Sequence, residues 1–235
     1  MCKIFKKVLI VLVSVVFGNF FPAQSTHGKV KPHYDSRQDI LEKSYDKESA
    51  ESLKSEVLEK FTLMDRPITP AAFKAMEQWL SDSIPGVIAI DLLATINSNQ
   101  FFGEVTFEKN GKLMWYALKK EKENCSFEYV FIGKIDNDKC VIVTRSNGGG
   151  SLTTCTLVIL KIELDTAWDW DKSAYEKQVF DNPVLRYRIL ARQIAYLHLP
   201  FVGGFELKES LLTIKREDLG KSMTIDLSKV MQEQN

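Results

Sequence analysis

Histidine is scarce in this chain. Of three in 235 residues, His27 and His33 fall in a polar N-terminal stretch, and His198 sits in an apolar segment. A zinc site needs several imidazole or thiolate ligands at short spacing, so this supply does not make one. His198 is left as the one imidazole that could serve a Ser-His-Asp arrangement or activate a thiol. No G-x-S-x-G elbow precedes a helix, and no nucleotide loop ends in Gly-Lys-Ser/Thr. The run Gly148-Gly149-Gly150-Ser151 has amides that could cradle an anion, but without that lysine and a following helix it reads as a hairpin turn. Asp136-Asn137-Asp138, and Asp165, Asp169 and Asp171 around Trp168 and Trp170, could supply calcium oxygens. Neither has the D-x-D-x-D-G spacing or the closing glutamate, so they read as a tight turn and a solvated helix start. No metal and no cofactor is expected, and Glu104, Glu108 and Glu128 cannot be paired as catalytic carboxylates without geometry.

An excess of charge is also missing, with 31 basic and 31 acidic side chains. Removing Lys3, Lys6 and Lys7 with the leader described next leaves an excess of about three acids, which offers nucleic acid no electrostatic footprint. Past residue 25 no apolar run is long enough to cross a bilayer, which takes roughly 20 residues. Residues 1–25 have the layout of a secretory signal peptide: a basic start, the apolar Val8 to Phe17, and Ala23-Gln24-Ser25 as a cleavage site. The expected mature protein is exported, periplasmic or extracellular, with no membrane span after cleavage.

Cysteine is sparse too. Of four, Cys2 lies in the leader, and Cys125, Cys140 and Cys155 remain, an odd number that leaves at least one unpaired within the chain. A two-residue turn at Asn147-Gly148 would set Arg145 against Gly150 and Cys140 against Cys155, within disulfide distance. A Cys140–Cys155 bridge is therefore the expected pairing.

What the chain does have is strands. Between Phe101 and Leu164, alternating apolar residues are separated by turn sequences. Asn110-Gly111 is the strongest of these, since both central residues of such a turn take positive φ. Pairing outward from Lys109 opposite Lys112 sets Phe107 against Met114 and Val105 against Tyr116 on one face, with Trp115 on the other. The strand from Cys125 puts Phe127, Tyr129 and Phe131 on one side and Val130 and Ile132 on the other, so both its faces should find cover. Val87 to Ile96 should be a strand leading into this meander. Val184 to Leu199 also reads as a strand, because its apolar residues spread all round a helical wheel. In that strand Leu185, Tyr187, Ile189, Ala191, Ala195, Leu197 and Leu199 share a side, while Arg186, Arg188 and Arg192 share the other. Strands at Phe205 to Lys215 and Met223 to Leu227 complete the set.

Helices are expected at Ile40 to Phe61, at Thr69-Pro70 onward through Phe73, Met76, Trp79 and Leu80, and at Ala167 to Phe180. These elements imply an α+β fold: an antiparallel β-meander of about eight strands forming a barrel or sandwich, preceded by N-terminal helices. Residues 1–25 are the signal peptide, 26–68 a flexible lead-in and polar helix, and 69–235 a single α+β domain. The arginine group Arg186, Arg188 and Arg192 is the candidate ligand-binding stripe, suited to a carboxylate or phosphate, unless Glu104 and Glu128 neutralise it. Trp168, Trp170 and Tyr175 are weighed as a sugar platform against helix-to-sheet packing. The functional expectation is an exported non-catalytic binding or interaction module for a small apolar ligand or a protein partner. The alternatives are a cell-envelope hydrolase using a carboxylate or His198, and a structural envelope protein or inhibitor of an exported toxin.

Overall fold

The computed structural model describes residues 26–30, 43–74, 76, 88–93, 105–110, 113–118, 125–148, 153–169, 184–200, 203–216 and 219–233. The segment expected to be a signal peptide, the span containing Trp79 and Leu80, and the residues just beyond Gly148 lie outside them.

Strand β1 (Thr26–Val30) falls in the stretch expected to be irregular. Helix α1 (Lys47–Lys60) follows. Asp46 caps it: the Asp46 carboxylate accepts from Ser49 N–H at 2.7 Å, which holds its pKa below the usual aspartate value. The polar residues of this helix form its exposed face, while Ala50, Leu53, Val57 and Leu58 line its buried side. Phe61 closes it in the left-handed region (φ 58°), its N–H donating to Val57 C=O at 2.9 Å. A short hairpin, β2 (Thr62–Leu63) and β3 (Arg66–Pro67), turns through Met64 and Asp65, both with positive φ. Glu56 holds that turn, accepting from Thr62 Oγ1 and from the N–H groups of Met64 and Asp65. Helix α2 (Pro70–Lys74) starts at the expected proline.

Strands β4 (Ala89–Asp91), β5 (Val105–Asn110), β6 (Leu113–Leu118), β7 (Cys125–Lys134), β8 (Lys139–Gly148), β9 (Thr153–Asp169) and β10 (Val184–His198) join β1 in one antiparallel sheet. Its order is β1-β5-β6-β7-β8-β9-β10-β4. The meander expected from turn chemistry is present as six consecutive strands. The sheet does not close, since β1 and β4 stand at opposite edges. The segment that was to lead into the meander, β4, instead pairs with β10 at the far side, Asp91 facing Leu190. A second sheet of β11 (Gly204–Lys208), β12 (Leu211–Arg216) and β13 (Lys221–Asp226), followed by helix α3 (Leu227–Glu233), completes the fold. Gly203 is required where β11 enters, because a Cβ there would stand 2.2 Å from the Lys215 carbonyl oxygen.

Each face of the main sheet has its own cover. On one side α1, Phe61, Phe73 and Leu92-Leu93 pack on Phe127, Tyr129, Ile142, Val158, Leu160, Ile162 and Ile189. On the other, Leu212, Ile214, Ile225 and Leu227 pack on Val130, Val141, Val143, Leu157 and Ile159. This double cover explains why Leu157 to Leu160 is continuously apolar, and why Trp115, on the mixed face of its strand, is buried.

Three registers differ from expectation. The β5–β6 turn closes at Asn110 opposite Leu113, so Phe107 meets Tyr116; the slip is two residues and leaves the faces unchanged. At β8–β9, Asn147 pairs with Thr153, so the connection is longer than two residues. Cys140 then faces Leu160, and Cys155 faces Arg145. The expected Cys140–Cys155 bridge is therefore not made: both are free buried thiols on opposite faces of the sheet. In β10 the register shifts between Gln193 and Ala195. This bulge moves Ala195 and Leu197 off the face of Ile189 and Ala191 and onto the side of the small sheet. The expected helix from Ala167 begins as strand, since β9 runs through Asp169.

Candidate functional site

Arg186, Arg188 and Arg192 do share one face of β10, the side of the second sheet, with Arg186 largely buried and Arg188 and Arg192 partly exposed. Each meets an acid across or beside its strand. Arg186 Nη2 donates to Asp91 Oδ2 at 2.8 Å, Arg188 Nη2 to Asp165 Oδ2 at 2.6 Å, and Arg192 Nε to Glu163 Oε2 at 3.0 Å. The stripe continues through Lys161, 2.8 Å from Glu163 and 3.9 Å from Asp138, to Lys139, which binds Asp138 and Asp136. Hydrogen bonds from Lys161 and Arg192 hold Glu163 below the usual glutamate pKa, and the bond from Arg188 does the same for Asp165. Signs alternate along the row, so the acids offset the positive charge that a carboxylate or phosphate would meet there. The acids differ from those expected: Glu104 lies outside the described residues, and Glu128 binds Arg145 at 2.6 Å, with Arg145 stacked over Trp115.

The Asp136 turn is accounted for in the same way. Asp136 Oδ1 accepts from the N–H groups of Asp138 and Lys139, both at 3.1 Å. Among the described residues no three metal-ligating side chains gather.

On the opposite face the register aligns Tyr116, Tyr129, Thr144, Thr156 and His198 in one row across β6 to β10. Tyr129 is fully buried, its hydroxyl donating to the Ile68 carbonyl at 2.5 Å, and burial pushes its pKa well up. At the β10 end of this face Phe73 and Met76 wall a narrow depression of about 20 Å³, partly open to solvent, floored by Ile142 and Val158 and edged by Thr144, Thr156, Gln193 and Tyr196. The His198 ring lies at its rim, Nδ1 3.1 Å from Thr156 Oγ1 and edge-on to Tyr196.

Comparison with protein-family models, with curated proteins and with solved structures finds no match to this chain.

The chemistry must therefore be read from the groups themselves. Around His198 the described contacts are a hydroxyl and a ring, with no carboxylate to fix a tautomer or stabilise an imidazolium. Cys155 lies near Arg145, but burial outweighs that charge and pushes its thiol up to about 12; burial also raises Cys140. What the depression offers is an apolar floor with a few hydroxyl and amide groups at its edge. Sequence reasoning missed Thr144, Thr156, Gln193 and Tyr196. The one signal was polar residues interrupting apolar patterns, Thr144 after Val141-Ile142-Val143 and Gln193 in the alternating row after Ile189 and Ala191, and the side each faces depended on a loop length and a bulge.

Proposed function

We propose that this is an exported, non-catalytic binding module, acting in the periplasm or outside the cell, that holds a small, largely apolar ligand over the helix-covered face of its sheet. The observation that carries this reading is the lining of the depression: Phe73, Met76, Ile142 and Val158 for apolar contact, with Thr144, Thr156, Gln193 and Tyr196 to orient a polar end. At about 20 Å³ the depression itself admits only the tip of a ligand, whose body would lie over the surrounding apolar face. The test uses N-phenyl-1-naphthylamine, an uncharged apolar fluorophore, with the mature protein and with Thr156→Phe, which fills the depression. Saturable fluorescence enhancement by the parent, lost in a variant with an unchanged thermal melt, supports the reading. No saturable enhancement, or equal enhancement by both, removes it.

A second reading, a cell-envelope hydrolase with His198 as base, has one contact in its favour, the 3.1 Å approach of His198 Nδ1 to Thr156 Oγ1. Hydrolysis of p-nitrophenyl acetate that disappears in both His198→Asn and Thr156→Val would select it over binding alone.

A further inference from the structure

Among the described residues, strands β9 and β10 run past both their neighbours. The last β9 residue paired with β8 is Lys161, and β4 meets β10 at Leu190 to Arg192. Five residue pairs, from Asp165 opposite Arg188 to Asp169 opposite Val184, therefore form a two-stranded arm extending roughly 15 Å beyond the sheet. Its two faces differ in kind. One bears the ion pairs of Arg186 and Arg188. The other continues the core row outward, from Leu164 and Ile189 to Thr166 and Tyr187 and then to Trp168 and Leu185. The helical layer reaches Tyr187, whose N–H donates to Ser44 C=O at 2.7 Å. Beyond it Trp168 is 62% exposed and Leu185, directly opposite, 42% exposed.

A tryptophan this open on a regular strand is not helix-to-sheet packing. Trp168 and Leu185 stand side by side at about 5 Å, and the four side chains of this outer face include no carboxylate, ammonium or guanidinium. Together the two apolar groups present roughly 200 Å², far below the ~800 Å² per partner of a stable protein interface. An area of that size matches the C–H face of one or two sugar rings. Thr166 and Tyr187 stand next in line to hydrogen-bond ring hydroxyls. With 31 basic and 31 acidic side chains the chain has no net positive charge to attract an anionic membrane or polymer. We infer that the outer face of the β9–β10 arm, centred on Trp168, is a binding site for a neutral oligo- or polysaccharide, separate from the depression edged by Thr156.

The test is affinity electrophoresis of the mature protein in native gels containing hydroxyethylcellulose, a soluble β-1,3-glucan or glycol chitin. At least one polymer is expected to retard the parent. Trp168→Ala should weaken that retardation about tenfold, and Trp168→Tyr less. Since Trp168 is exposed, its variants should keep the parent's melt, and Thr156→Phe should be retarded like the parent. Retardation by none of the three polymers, or equal retardation of parent and Trp168→Ala, overturns the inference. So does dimerisation, or flotation with phosphatidylglycerol vesicles, that Trp168→Ala abolishes.

Discussion

Tyr129 shows how one residue ties the layers together. Its ring stacks edge-on to Phe61 and Phe73 and its hydroxyl reaches the carbonyl of Ile68, a residue 61 positions earlier in the chain. Tyr129→Phe keeps the ring and orphans a buried acceptor, so chemical denaturation should give a loss of about 1–3 kcal/mol. Glu56 is a second such point. Met64 and Asp65 both adopt positive φ without being glycine, and the Glu56 carboxylate satisfies their N–H groups. Replacing Met64-Asp65 by Asn-Gly should raise stability by about 0.5–1 kcal/mol in a urea titration, whereas Glu56→Ala should lower it. The thiols make a third prediction. With Cys155 raised to about 12 and Cys140 also raised, iodoacetamide at pH 8 should leave both unmodified in the native protein and alkylate both in denaturant, as read by peptide mass spectrometry. Residue identity made some of this legible: Thr69-Pro70 announced a helix start and Asn110-Gly111 a turn. Nothing local announced that Glu56 would anchor a turn eight residues on, because that contact exists only once helix and hairpin have packed.

Among the elements, β10 carries the most information. Its strand character was legible because a helix would have scattered its apolar residues. Its faces were legible as far as Gln193, where the bulge exchanges them, and a single inserted residue has no sequence signature apart from the pattern it disrupts. The same limit applied to Cys140 and Cys155, since a turn longer by an odd number of residues inverts every facing relation beyond it. The three arginines do share a face, and the acids they meet come from β4 and β9 and not from the strands first considered. Glu163 and Asp165 have folded pKa values below their ordinary 4.5 and 3.8. The stabilisation from these pairs is therefore present at neutral pH and is lost as pH falls below about 4.5 and through the lowered values. The thermal midpoint should fall across that window, and Glu163→Gln should flatten part of the fall. Added salt should act in the same direction as acid, because these groups are partly exposed.

At the scale of the molecule, the decisive feature is that an open antiparallel sheet is buried on both faces by unlike layers, helices on one side and a smaller sheet on the other. The sequence disclosed the β-rich α+β character, since strands with apolar residues on both sides need two covers. It did not disclose the second sheet's position, because Leu212, Ile214 and Ile225 show alternation but not the surface they meet. Nor did it disclose that β9 and β10 would outrun their neighbours, which is what exposes Trp168. The most direct measurement is a set of inter-strand nuclear Overhauser effects on the deuterated protein. The account predicts contacts of Val143 with Leu157, of Arg145 with Cys155 and of Ala195 with Ile159. Contacts placing Cys140 opposite Cys155, or Ala195 on the face of Ile189 and Ala191, would contradict it.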